Sequence, residues 1–125
     1  MPNKKLKVLA VDDDLINLKL LKSMLMKTSY FSEVIDAKNG ADAIAVLKTQ
    51  DDIDIILLDI IMPVMGGIEM LKVIRADDNM IQLPVIVLTT DETKKAEALD
   101  CGANGFLMKP VRERDLSAKI SQLIV

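Results

Sequence analysis

The sequence predicts an α/β fold: a doubly wound domain on a five-stranded parallel sheet, with five helices over its two faces. Three observations carry that prediction. Short β-branched apolar runs alternate with longer amphipathic stretches along the whole chain. One of these runs, Ile53 to Leu58, is nearly continuous, as a strand covered on both faces must be. The chain has 125 residues, 50% of them hydrophobic, which suits one core and leaves no room for a second of similar size. No Pro/Gly-rich linker or low-complexity stretch interrupts the alternation, so residues 1–125 are expected to form a single domain.

The first strand is expected over Leu6 to Val11. A helix follows, with Leu18, Leu21 and Leu25 on one face. Asp14 stands where a carboxylate favours a helix start. Glu33 to Ala37 reads as a short second strand, and Asn39 as the cap of a helix carrying Ala41, Ile44, Ala45 and Leu47. After the third strand comes a loop with Pro63, Gly66 and Gly67, then a helix with Ile68, Leu71 and Ile74. Pro84 to Leu88 is the fourth strand. A more polar helix runs from about Glu92 to Asp100, with Thr90 or Asp91 as its cap, and Gly102 stops it. Gly105 to Met108 is the fifth strand. Leu116, Ile120, Leu123 and Ile124 mark the last helix.

Strict alternation implies right-handed crossovers, and this number of units suggests the flavodoxin-like strand order 2-1-3-4-5. The order reverses between strands 1 and 3, and ligands in such sheets bind outside the carboxyl ends of the strands at that point. Polar residues gather there. Strand 1 ends in Asp12, Asp13 and Asp14, strand 3 in Asp59, strand 4 in Thr89 and Thr90, and strand 5 in Lys109.

Composition removes several functions. The chain has no His, which excludes Ser-His-Asp and Cys-His catalysis and His-ligated metals. A single Cys excludes an internal disulfide and a Cys-only zinc site, and Cys101 reads as a small hydrophobe near a helix end. The eight Met residues read as core filler. Sixteen basic against nineteen acidic residues give a net charge of −3, which argues against nucleic-acid binding. The basic start, Met1 to Lys5, is followed too soon by acids to be a signal peptide, and no apolar run reaches membrane-spanning length. A cytoplasmic protein with no membrane partner is the expectation.

Asp12, Asp13 and Asp59 flank the switch point. Carboxylates brought together repel unless a counter-charge joins them. A hard divalent cation with oxygen ligands answers this, and Mg²⁺ suits a site of few carboxylates that works with phosphate. Lys109 adds a further positive charge. A carboxylate beside Mg²⁺ and an ammonium is equipped to attack a phosphoryl group, and Thr89 could then bond a phosphoryl oxygen.

At these residues the chain resembles the receiver domains of two-component response regulators, of the single-domain CheY type. The matching pieces are Val11-Asp12-Asp13, Leu57-Leu58-Asp59, Met62-Pro63 with Gly66-Gly67, Leu88-Thr89-Thr90, and Gly105-Phe106 leading to Lys109-Pro110. They run in order over nearly the whole chain, from about Lys5 to Ile124. The resemblance implies a phosphorylation-activated module rather than an enzyme with a separate substrate. Asp59 would accept a phosphoryl group from a sensor histidine kinase or phosphotransfer protein. Asp13, Asp59 and the Ile61 carbonyl would bind Mg²⁺ directly, and Asp12 largely through water. Lys109 would pair with the acceptor, its bond to Pro110 being cis. Thr89 and Phe106 would form the switch, re-shaping the surface of helix 4, strand 5 and helix 5. The resemblance leaves a monomer or a phosphorylation-linked dimer open, and the output protein unknown.

Some positions depart from the family's habit. Phe106 stands where Tyr is common and lacks its hydroxyl. Ile61 and Asp91 occupy variable positions that tune dephosphorylation, and an apolar Ile61 cannot orient water. Val111 follows Pro110 where an aromatic is frequent. Three other functions fit these residues less well. An aspartate-nucleophile phosphohydrolase of the haloacid-dehalogenase type needs an acid at position 61. A nucleotide-binding protein needs a Gly-rich loop where Asp12-Asp13-Asp14 stands. A receiver-fold interaction module that no longer switches would not need its acidic, Thr and Lys positions filled.

Overall fold

The computed structural model describes residues 6–28 and 30–124. The basic N-terminal segment, residues 1–5, lies outside them. The strands are β1 (Leu6–Val11), β2 (Phe31–Ala37), β3 (Ile55–Asp59), β4 (Val85–Thr89) and β5 (Gly105–Met108). They form one parallel sheet in the order β2-β1-β3-β4-β5. The helices are α1 (Leu15–Lys27), α2 (Gly40–Thr49), α3 (Gly67–Arg75), α4 (Lys95–Asp100) and α5 (Glu113–Ile124).

Alternation along the strands sorts the core into two layers, because successive side chains point to opposite faces. Val8, Ala10, Ile55, Leu57, Ile86 and Leu88 pack against Leu18, Leu21 and Leu25 of α1 and Leu116 and Ile120 of α5. Leu9, Val11, Ile56, Leu58, Val85 and Val87 meet α2, α3 and Ala98 of α4 on the other face. The near-continuous apolar character of β3 follows directly, since Ile55 to Leu58 are all fully buried.

Several expected boundaries shift. β2 begins at Phe31 rather than Glu33, because a register shift between Leu6 and Lys7 lets Phe31 and Val34 serve the same face. In α2 the buried positions are Gly40, Ala43, Ile44 and Leu47, and Ala45 points to solvent. Spacing among alanines does not distinguish a face. The stretch from Glu92 begins as a 3-10 turn (Glu92–Lys94) and becomes α-helical only at Lys95. Met70 and Met80 are core residues, whereas Met26 and Met108 are exposed, so the methionines are not filler throughout. Cys101 is half-buried and packs against the α2–α3 layer.

Candidate functional site

The sheet register brings the polar strand ends together. Val11 pairs with Leu58, Asp59 with Leu88, and Thr89 with Met108. Asp12 therefore leaves β1 beside the end of β3, and Lys109 leaves β5 beside Thr89, whose carbonyl accepts the Lys109 N–H at 2.8 Å. The Lys109–Pro110 bond is cis.

Local bonds fix each acid. The Asp12 N–H donates to the Ala37 carbonyl at 3.0 Å. Asp12 Oδ1 accepts the Asp14 N–H at 2.9 Å, which turns the chain into α1. Asp14 caps that helix, accepting the N–H groups of Ile16 and Asn17, as expected of it. Asp59 Oδ1 accepts the Ile60 N–H at 2.9 Å. The Ile60 carbonyl takes the Gly67 N–H at 2.9 Å, so the loop after Asp59 folds back onto its own strand.

Asp12, Asp13 and Asp59 each place a carboxylate oxygen within 4.8 Å of the others. Lys109 Nζ lies 2.8 Å from Asp12 Oδ2 and 3.3 Å from Asp59 Oδ2. Burial raises the Asp59 carboxyl above its ordinary pKa, and the charge of Asp12 adds to this. The Lys109 ammonium and the Ile60 N–H offset only part of it. Lys109 itself is raised: burial opposes its charge most strongly, but the bonds and charges of Asp12 and Asp59 together outweigh burial. Three carboxylates against one ammonium leave a formal excess of two negative charges. An all-oxygen donor set with that excess fits a hard dication.

Thr89 is buried, and its hydroxyl oxygen accepts the Asp91 N–H at 3.2 Å. Asp91, not Thr89, caps the following turn by accepting the Thr93 N–H. Phe106 pairs in register with Val87 and is half-buried against the α2–α3 layer. The Lys95 ammonium lies 6.0 Å from its ring centroid.

Two features of the site were not legible in the sequence. At Gly67 an added Cβ would collide with the Asp59 carbonyl oxygen, so this glycine lets α3 start against the acid-bearing strand. Val64 adopts a φ of 67°, a left-handed conformation unusual for a β-branched residue, and is 82% exposed. The Pro-Val-Met-Gly-Gly string marks a loop, but it announces neither the approach of Gly67 to Asp59 nor the φ of Val64.

The family model for the response regulator receiver domain matches residues 8–121. The chain belongs to the response regulator receiver family. It is similar to chemotaxis protein CheY-3 of Vibrio cholerae, at 34% identity over 123 residues, covering 97% of this chain and 93% of the relative. It is 39% identical over 114 residues to the two-component response regulator ARR21 of Arabidopsis thaliana, where it covers 90% of this chain and spans 18% of the relative. Among solved structures, the receiver domain of a sensor histidine kinase from Pseudomonas aeruginosa superposes with a TM-score of 0.86 at 28% identity, covering 97% of this chain and 98% of that one. That structure holds a magnesium ion in its active-site cleft. Receiver domains are signalling modules of two-component systems that bind Mg²⁺ at an acidic pocket and interact with histidine kinases and phosphotransfer proteins. Among the described residues, no helix is long and apolar enough to cross a membrane.

Proposed function

We propose that this receiver is a phosphorylation switch with Asp59 as its acceptor. The observation that carries the reading is the Lys109 ammonium held between Asp12 and Asp59, at 2.8 and 3.3 Å, within a cluster of three carboxylates. In the reaction an Asp59 carboxylate oxygen attacks the phosphorus of a phosphohistidine. A P–O bond forms, the P–N bond breaks, and the imidazole leaves with the electron pair.

The donor set fits Mg²⁺. Asp13, Asp59 and the Ile61 carbonyl would hold it directly, with Asp12 acting through water. When bound, the metal supplies positive charge to the transferring oxygens. Lys109 supplies the other positive charge, exchanging part of its contact with Asp59 for the new phosphoryl oxygens. Thr89 turns its hydroxyl toward the phosphoryl group, and Phe106 follows inward. The surface of α4, β5 and α5 then changes shape and is read by an output protein.

The donor's docking surface is apolar. Leu15 and Ile16 in the first turn of α1 are 68% and 71% exposed, and Ile61 and Val64 after the acceptor are 63% and 82% exposed. All four lie on the segments that carry the acids. They suit the apolar face of a helix that presents a phosphohistidine.

Borohydride trapping tests the assignment of the acceptor. After incubation with Mg²⁺ and a small-molecule phosphodonor, reduction of an acyl phosphate converts its Asp to homoserine. Peptide mapping is expected to find homoserine at position 59. Homoserine at position 12 or 13 would overturn the choice of acceptor.

A further inference from the structure

Helix α4 is the most lightly anchored helix among those described, with Ala98 as its one buried residue. Its two ends are held very differently. At the C-terminal end, Gly102 takes a φ of 106°. The Gly102 N–H donates to the Leu99 carbonyl and the Ala103 N–H to the Ala98 carbonyl, both at 3.0 Å, which closes the helix in a Schellman motif.

A guanidinium then ties this turn to the body of the protein. Arg75, at the end of α3, donates from Nε and Nη2 to the Gly102 carbonyl at 3.0 and 2.8 Å. Nη2 also donates to Asn104 Oδ1 at 2.8 Å, and Nη1 to the Ile81 carbonyl at 3.0 Å. Asn104 Oδ1 accepts the Val85 N–H as well, at 2.8 Å, and the Asn104 N–H returns to the Val85 carbonyl at 2.8 Å. One planar fork thus joins α3, the approach to β4, and the turn from α4 into β5. The N-terminal end of α4 has no comparable tie among the described residues. It rests on a 3-10 turn capped by Asp91 and on the exposed Lys95 ammonium over Phe106, an interaction worth little at such a site.

We propose that Arg75 is a positioning residue that makes the C-terminal end of α4 a fixed pivot, so that loading the phosphoryl site swings the helix at its Thr89-proximal end. This rests on the receiver switch proposed above. The phosphoryl site lies at the carboxyl ends of the strands, and the clamp lies at the opposite edge, where β4 and β5 begin. Displacement applied near Thr89 therefore reaches α4 at its weakly held end. The clamp turns a local pull into a tilt rather than a translation. Arg is needed because its fork serves three separate oxygens on two segments at once, which the single ammonium of Lys cannot do.

The test uses the full chain as wild type, Arg75→Met and Arg75→Lys, each followed by amide NMR. Beryllofluoride with Mg²⁺ serves as the phosphoryl probe. In wild type, chemical-shift changes on adding the probe should be large from Thr90 to Lys95 and fall to baseline by Gly102 to Asn104. In Arg75→Met without the probe, the amides of Gly102, Ala103 and Asn104 should exchange about tenfold faster relative to amides of β1 and β3. With the probe, the changes should extend through that turn. Arg75→Lys should fall between the two, and it carries the comparison if the Met variant does not fold. A turn that exchanges no faster than the global correction allows would overturn the clamp. Wild-type changes of equal size at both ends of α4 would overturn the pivot while leaving the receiver switch intact. A wild-type chain that takes up no beryllofluoride would overturn the switch itself, and the pivot with it.

Discussion

Lys109 sits closer to Asp12 than to Asp59, at 2.8 against 3.3 Å. One ammonium is shared by two acids, and Asp59 has the weaker share. Burial, joined by the charge of Asp12, outweighs what that share returns, so the Asp59 carboxyl stays above its ordinary pKa although a cation lies beside it. Removing the ammonium leaves buried Asp12 and half-buried Asp59 without a counter-charge. Lys109→Met should destabilise the metal-free protein by about 1–3 kcal/mol, a solvent-discounted share of what breaking a buried pair costs. Urea unfolding in EDTA measures this. The same variant should label at Asp59 at least about tenfold more slowly with a phosphodonor, because it loses charge stabilisation on the transferring oxygens.

The Asp59 carboxylate itself works against the fold. Burial and the neighbouring Asp12 both penalise its ionised form. Asp59→Asn should therefore raise the urea midpoint of the metal-free protein. It should also shrink the gain in stability that Mg²⁺ brings to wild type, since one carboxylate of the cluster is gone. A variant less stable than wild type in EDTA would show that the Lys109 pairing outweighs the cost of burial.

Two glycines separate function from fold. At Gly67 a Cβ would collide with the Asp59 carbonyl and stand 2.9 Å from Ile60 Cα, both backbone atoms that cannot move aside cheaply. Gly67→Ala should cost about 1–3 kcal/mol and also slow phosphorylation, because it pushes on the acceptor's own strand. At Gly102, far from the acids, the constraint is the φ of 106°, and a Cβ would also stand 2.8 Å from Arg75 Cγ and Nε. Gly102→Ala should cost about 1–2 kcal/mol in urea unfolding and leave the labelling rate of the folded protein unchanged.

Ile61 lies two residues beyond Asp59, with its side chain largely in solvent. It offers no hydrogen bond to a water attacking the phosphoryl group. Ile61→Asn should shorten the lifetime of the phosphorylated protein severalfold, on the scale that one positioned polar group contributes to catalysis. Loss of the phosphoryl mass with time gives this directly. An unchanged half-life would remove Ile61 from the control of dephosphorylation.

The sheet and its carboxyl edge were legible because they rest on periodicity. Short apolar runs between amphipathic stretches gave β1, β3 and β5, and the order reversal placed Asp12 and Asp59 side by side before any distance was known. Caps were legible at Asp14 and Asn39, and of the two candidates Thr90 and Asp91 the structure selects Asp91. The buried face of α2 was not, because alanine fits either side of a helix. Gly67, Val64 and the Arg75 fork were also out of reach. Each depends on a backbone approach or a carbonyl position that only the assembled chain creates.

The most direct test of Asp59 as acceptor is the intact mass of wild type and Asp59→Asn after incubation with a small-molecule phosphodonor, with and without Mg²⁺. One added phosphoryl group on wild type, lost in EDTA and absent from the variant, is the expected result. A folded wild type that binds Mg²⁺ and gains no mass would contradict the switch and leave a receiver fold that works as a constitutive interaction module.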